Sequence, residues 1–294
     1  MMIPLDKNSL RNVYVKNAMR RQFNTLPQHT SIDTSINTLI KFKVNGILTV
    51  DETNTPVGVV SKTDIIGAYY AGLPIDSPLE YIMARPPILC SMNTPLDQAL
   101  EQMRESSVYR LYVTHENGSI VGSLAYPDIV GLLYRSCYDC EYSHFYQENS
   151  ADDTVKRLLV SDVAAGDVRS LKENDSLFIV LEEISSYRFG AILVTDESYA
   201  PAGVISKTDL ILAYKHGVDL DVAASTIMSQ PVQTCRDQDL LEQALRKMIF
   251  SDIHRLFVSN GEDTLTGVFS LTDAARARSG SCHACVSSRI TIEN

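Results

Sequence analysis

Apolar positions along this chain follow two alternating periods. Leu96, Ala99, Leu100 and Met103 fall at helical spacing, as do Leu177, Val180, Leu181 and Ile184, and again Leu241, Ala244, Leu245 and Met248. Each set predicts a helix that turns one apolar face to a core. Runs of five mostly β-forming residues predict strands at four places: GILTV (46–50), RLYVT (110–114), AILVT (191–195) and RLFVS (255–259). Short extended segments such as PPILC (86–90) and PVQTC (231–235) precede the helical stretches. After each five-residue run, a turn leads into a further apolar strand; Asn117–Gly118 and Asn260–Gly261 supply two of these turns. The closing stretches TDIIGAYYAG, PDIVGLLYRS, TDLILAYKHG and TDAARARSG predict helices, three of which reach a Gly at or near their end.

The junction between last strand and closing helix is written four times: GVVSKTD ending at Asp64, GSLAYPD at Asp128, GVISKTD at Asp209 and GVFSLTD at Asp273. Within each half the aspartates are 64 residues apart, and the halves are offset by 145, so a duplication lies inside a duplication. The predicted fold class is α/β, built from four strand-helix-strand-strand-helix units.

The GhhSxxDh corner (h, apolar), the βαββα unit and the HRLFV strand at 254–258 resemble the cystathionine β-synthase (CBS) domain, and the likeness covers nearly the whole chain. The resemblance implies four CBS repeats packed as two tandem modules, which make a pseudo-twofold disc within one chain or assemble it from two. On this reading residues 10–137 are the first tandem (repeats 10–74 and 75–137), 138–154 a connector, 155–281 the second tandem (repeats 155–218 and 219–281), and 282–294 a C-terminal CxxC tail.

The resemblance also implies that the corners bind adenosine-containing ligands: AMP, ADP, ATP or S-adenosylmethionine. One carboxylate can accept hydrogen bonds from both vicinal hydroxyls of a ribose. Asp64, Asp128, Asp209 and Asp273 are the candidates, with Ser61, Ser206 and Ser270 donating to sugar or phosphate beside a helix N-terminus that favours an anion. The second repeat carries Ala125 in place of the serine, while Asp128 remains available. A plainer role for the same SxxD string is a capping box, worth about 1 kcal/mol per helix. Arg110 and Arg255 occupy matching places in the even-numbered repeats and present a planar fork suited to phosphate oxygens. His254 precedes Arg255 as a further phosphate contact, and Tyr109 stands at its counterpart. Lys62 and Lys207, inside the SKTD corners, are expected to be solvated.

The six cysteines duplicate with the same offset, Cys90 with Cys235, Cys137 with Cys282 and Cys140 with Cys285. Cys137 and Cys140 form one CxxC, Cys282 and Cys285 another. Together they make a candidate four-thiolate site for zinc or another metal, provided that the second and fourth units are neighbours. A thiol switch is the alternative. Cys90 and Cys235 are expected to be buried packing residues.

Composition narrows the function. The 294 residues predict two domains at a usual ~150 residues each, and 45% hydrophobic with 21% charged residues is ordinary for a globular protein. No apolar run approaches the ~18 residues of a membrane span, and the first residues lack the apolar stretch of a secretory signal, so the expected location is the cytoplasm. A net charge of −10, with pI near 5.1, disfavours direct nucleic-acid partners. No Walker loop, GxSxG elbow, HExxH or dinucleotide fingerprint occurs. The expected function is therefore regulatory rather than enzymatic: an adenine-nucleotide sensor acting on a protein effector, as a monomeric disc or a homodimer. Alternatives are a metal or thiol-redox sensor working through the CxxC pairs, and a ligand-free scaffold.

Overall fold

The computed structural model describes residues 13–138, 158–261 and 264–277. The elements in chain order are α1 (Val15–Ala18), β1 (Thr25–Pro27), α2 (Ile32–Lys41), β2 (Gly46–Val50), β3 (Pro56–Ser61), α3 (Lys62–Tyr70), β4 (Leu89–Ser91), α4 (Leu96–Glu105), β5 (Arg110–Thr114), β6 (Ile120–Ala125) and α5 (Tyr126–Tyr138). The second half follows the same order with β7 (Ser170–Lys172), α6 (Leu177–Ser186), β8 (Ala191–Thr195), β9 (Pro201–Ser206), α7 (Lys207–Lys215), β10 (Thr234–Arg236), α8 (Leu241–Phe250), β11 (Arg255–Ser259), β12 (Leu265–Ser270) and α9 (Leu271–Arg276). The four five-residue runs are the middle strands β2, β5, β8 and β11, and the three sets of helically spaced apolar residues are all buried, on α4, α6 and α8.

Each repeat folds its strands into one three-stranded sheet, in which the middle strand pairs parallel with the first and antiparallel with the third. The parallel pair is joined by a crossover helix, as that geometry requires, and in the first three repeats the antiparallel pair is joined by five residues, 51–55, 115–119 and 196–200. The fold is thus a mixed α/β arrangement of four equivalent sheets.

Two compact units form, each built from one repeat of each half. In the odd-repeat unit (Phe23–Ile88 with Arg169–Val232), α3 packs against α7, and one core gathers Ile32, Ile36, Ile65 and Ile66 with their second-half counterparts Leu177, Leu181, Leu210 and Ile211. Tyr69 and Tyr214 stack with ring centroids 4.9 Å apart. Their hydroxyls donate reciprocally, Tyr69 to the Val218 carbonyl and Tyr214 to the Leu73 carbonyl, both at 2.5 Å. Burial pushes the Tyr69 phenol up to about 12, with Asp219 adding to the rise. Gly72 and Gly217 follow these helices with positive φ, the left-handed stop that glycine adopts without a Cβ penalty.

The even-repeat unit comprises the described residues of Met1–Gln22, Leu89–Val168 and Gln233–Asn294, and here α5 packs against α9. Its composition differs from the linear division of the sequence. The segment starting at Val13 packs on the second repeat: Val15 donates to the Thr94 carbonyl at 2.9 Å, Leu96 to that of Val13 at 2.7 Å, and Arg20 and Ser123 exchange both backbone bonds at 2.9 Å. Leu158–Val168 is treated the same way by the fourth repeat, with Ala165 bridged to Val268. In the odd-repeat unit the equivalent bridges join Ala84 to Val59 and Ser229 to Val204.

These bridges account for the glycine that opens every copy of the corner string. A Cβ at Gly58 would lie 2.8 Å from the Ala84 carbonyl oxygen, and one at Gly267 would lie 2.7 Å from that of Ala165. The bridging segment lies directly on the strand at that point, so only a residue without a side chain fits.

Candidate functional site

Each corner is made by the last strand of a sheet turning into a helix. At the first, Ser61 donates to Asp64 Oδ2 twice, from its backbone nitrogen at 2.7 Å and from Oγ at 2.6 Å. The third is nearly identical: Ser206 N and Oγ donate to Asp209 Oδ2 at 2.7 and 2.6 Å. At the fourth, Ser270 N and Oγ reach Asp273 Oδ2 at 2.9 and 2.6 Å. The capping role is therefore filled at all three, and it occupies one carboxylate oxygen. In the second repeat, Ala125 leaves only the backbone nitrogen, which donates to Asp128 Oδ2 at 2.9 Å.

The other oxygen, Oδ1, sets the corners apart. Asp209 Oδ1 accepts from the Ser229 hydroxyl at 3.0 Å, and Asp128 Oδ1 accepts from Arg20 Nε. Ser229 and Arg20 are the bridging residues of those repeats. Ala84 and Ala165 fill the same place beside Asp64 and Asp273 and bring no polar side chain. Burial raises the Asp64 carboxyl above its ordinary value, a shift that the two Ser61 hydrogen bonds and the nearby Lys207 oppose.

Lys62 and Lys207 are not simply solvated. Each is half-buried and crosses to the partner repeat of its unit, Lys62 Nζ donating to Thr208 Oγ1 at 2.8 Å and Lys207 Nζ to Thr63 Oγ1 at 2.7 Å. The two corners of the odd-repeat unit thus hold each other's first helical turn.

In the even-repeat unit, the middle strands bring the proposed phosphate contacts together. Arg110 lies opposite Ala125 in register, and Arg255 opposite Ser270. Arg110 Nη1 donates to Ser123 Oγ at 2.7 Å, whereas its Nε is buried and meets no hydrogen-bond partner among the described residues. The hydroxyls of Tyr109 and Tyr126 are in the same condition. Their rings meet edge-on at 5.3 Å, and Tyr109 stacks on His254 at 6.3 Å. Burial drives the Tyr109 phenol far above its ordinary value, and the charges of Arg110 and Arg255 only partly offset this. Burial also lowers the Arg255 guanidinium, while Asp273 and Tyr109 pull it back up. Arg110, Tyr109, His254 and Arg255, together with the Asp128 and Asp273 corners, therefore share one unit.

Of the cysteines, Cys90 and Cys235 are buried as expected, and burial pushes both thiols up to about 11. Cys137 lies on α5; Cys140, Cys282 and Cys285 are outside the described residues, so the four-cysteine site is not represented in the geometry. Among the described residues no group of three His, Cys, Asp or Glu is arranged to hold a metal, and no helix is long and apolar enough to cross a membrane.

Four equivalent α/β repeats, each with an acidic strand-to-helix corner, define a modular repeat protein. The chain belongs to the CBS domain family, whose model matches residues 15–71, 79–135, 160–216 and 224–280. Uncharacterized protein MJ1225 of Methanocaldococcus jannaschii is 25% identical over 200 residues, 68% of this chain and 69% of that protein. The crystal structure of MJ1225, described as a candidate archaeal homolog of g-AMPK, superposes with a TM-score of 0.74 at 19% identity over 90% of this chain and 99% of that one. An uncharacterized conserved protein from Pyrococcus horikoshii gives 0.60 at 18% identity, over 90% of this chain and all of that one. These two likenesses show the shared fold.

Proposed function

We propose that this protein is a regulatory binder of adenine nucleotides, AMP, ADP or ATP, which takes the ribose diol at its aspartate corners and phosphate at Arg110 and Arg255. One observation carries the reading. At Asp64 and Asp273 both serine donors fall on Oδ2, so helix capping does not use Oδ1, the oxygen a diol acceptor requires. The buried Arg110 Nε and the Tyr109 and Tyr126 hydroxyls favour an anionic group nearby, because a buried donor left unsatisfied costs about 1–3 kcal/mol. The same arginines favour a phosphate-bearing ligand over S-adenosylmethionine. Ligand occupancy regulates a protein effector to the extent that it favours one conformation of the repeats over another.

A native mass spectrum of freshly purified protein, followed by titration with AMP, ATP and S-adenosylmethionine, tests this. Added mass or saturable binding of a nucleotide supports the reading; binding of none of the three removes it.

A second reading, a metal or thiol site at the two CxxC motifs, is favoured by one feature: α5, which carries Cys137, packs against α9 in the unit shared by the second and fourth repeats. Metal content that survives Cys137→Ser unchanged eliminates a four-cysteine site.

A further inference from the structure

The four corners share a sequence string, yet they differ in what the bridging residue does to the aspartate. The bridge positions Arg20, Ala84, Ala165 and Ser229 repeat with the same 64- and 145-residue offsets as the aspartates. In each repeat two backbone hydrogen bonds fix the bridging residue beside the glycine of the corner string. The side chain at this one position therefore acts on the carboxylate within reach. Alanine contributes nothing polar, serine gives one neutral hydrogen bond, and arginine gives a charge.

Arg20 is the extreme case. Its backbone is bonded to Ser123 in both directions, and its Nε donates to Asp128 Oδ1 while Ala125 N occupies Oδ2. Both oxygens of this carboxylate are engaged, and the Asp128 side chain is only 4% exposed, whereas Arg20 itself is 62% exposed. A ribose diol approaching Asp128 meets a charge-assisted bond already made there. Such bonds are about twice as strong as the neutral hydrogen bonds a hydroxyl offers.

We propose that Arg20 is an intramolecular occupant of the second-repeat corner, which excludes the ribose of a nucleotide from Asp128 and confines diol binding to corners bridged by alanine or serine. The inference rests on the reading that these aspartates take ribose, and it assigns Arg20 the role of deciding which corners do so. Because the guanidinium reaches in from the surface, replacing it opens the corner without emptying a core position.

The test is calorimetric titration of the full chain with AMP, comparing wild type with Arg20→Ala, Arg20→Gln, Asp128→Ala and the double variant Arg20→Ala/Asp128→Ala. Arg20→Ala is expected to bind one more equivalent of AMP than wild type, and the added equivalent should vanish in the double variant. Arg20→Gln keeps the stem and a neutral donor, so it is expected to gain the same site at lower affinity; it is the variant to read if Arg20→Ala does not unfold cooperatively. An unchanged AMP stoichiometry in both folded Arg20 variants, with wild type still binding, overturns the role of Arg20 and leaves the nucleotide reading standing. Loss of a wild-type equivalent on Asp128→Ala alone also overturns it, since that corner would already be in use. Absence of AMP binding in wild type and variants alike overturns both.

Discussion

Arg255 stands directly across the β11–β12 pair from Ser270, the residue that caps α9 and bonds Asp273. Arg110 holds the same place opposite Ala125, whereas the odd repeats put Gly46 opposite Ser61 and Ala191 opposite Ser206. Among the described residues, the strand position opposite the corner carries an arginine only in the even-repeat unit, and phosphate recognition through this position should concentrate there. Arg255→Ala is expected to weaken AMP or ATP binding at this unit by about ten- to a hundredfold, the scale of a lost hydrogen bond to a charged group. Affinity for adenosine should change little. Calorimetry with adenosine and AMP side by side checks this, and equal losses for both would remove phosphate as the partner of Arg255.

The corner glycines make a separate prediction about stability. Gly267→Val places a branched side chain where the Ala165 carbonyl already lies within 2.7 Å of a Cβ. The bridge must shift or break, at an expected cost of about 1–3 kcal/mol from overpacking, read as a lower midpoint in denaturant unfolding. A valine variant as stable as wild type would show that the bridging segment is not held against the strand.

Acidification should act on Asp64 with two opposite signs. Its folded-state pKa is raised above the ordinary 3.8, chiefly by burial, so on lowering the pH the folded protein takes up this proton before the unfolded chain does. That uptake favours the fold at this residue, yet it converts the diol acceptor to a neutral acid. Nucleotide affinity at the first-repeat corner should therefore decline at a pH above that of an ordinary aspartate, without loss of folding there. Titrations at stepped pH, with Asp64→Asn as the reference, check it; matching pH profiles in the two proteins would contradict the assignment.

Tyr69 and Tyr214 should contribute comparably and independently of their stacking. Tyr69→Phe or Tyr214→Phe keeps the ring and removes one hydroxyl-to-carbonyl bond. Each should cost about 1 kcal/mol, measurable by chemical unfolding. A neutral result in both would mean that the carbonyls of Val218 and Leu73 find other donors.

Much of this architecture was legible in the sequence because it is local. The middle strands coincide with GILTV, RLYVT, AILVT and RLFVS, since each is a continuous apolar run bounded by turns. The corner aspartates were found because a capping box is confined to four residues. What escaped was the contact made at long range by one pair of backbone bonds: Arg20 and Asp128 are 108 residues apart, and no periodicity links them. A signal did exist, in that Met19, Met83 and Met228 each precede a bridging residue at the repeat offsets. The sequence predicts solvated lysines in the SKTD corners, since nothing local shows their partners Thr208 and Thr63 in the other repeat of the unit. Helical pattern alone carries no information on which repeats pair.

The central claim is that the corner carboxylates bind the ribose of an adenine nucleotide. Its most direct test is calorimetric titration of AMP into wild type and into the triple variant Asp64→Asn/Asp209→Asn/Asp273→Asn, which keeps side-chain shape while removing the charge, with cooperative unfolding confirmed for both. Saturable binding to wild type that is lost in the triple variant is the predicted result. AMP bound equally well by both folded proteins would contradict it.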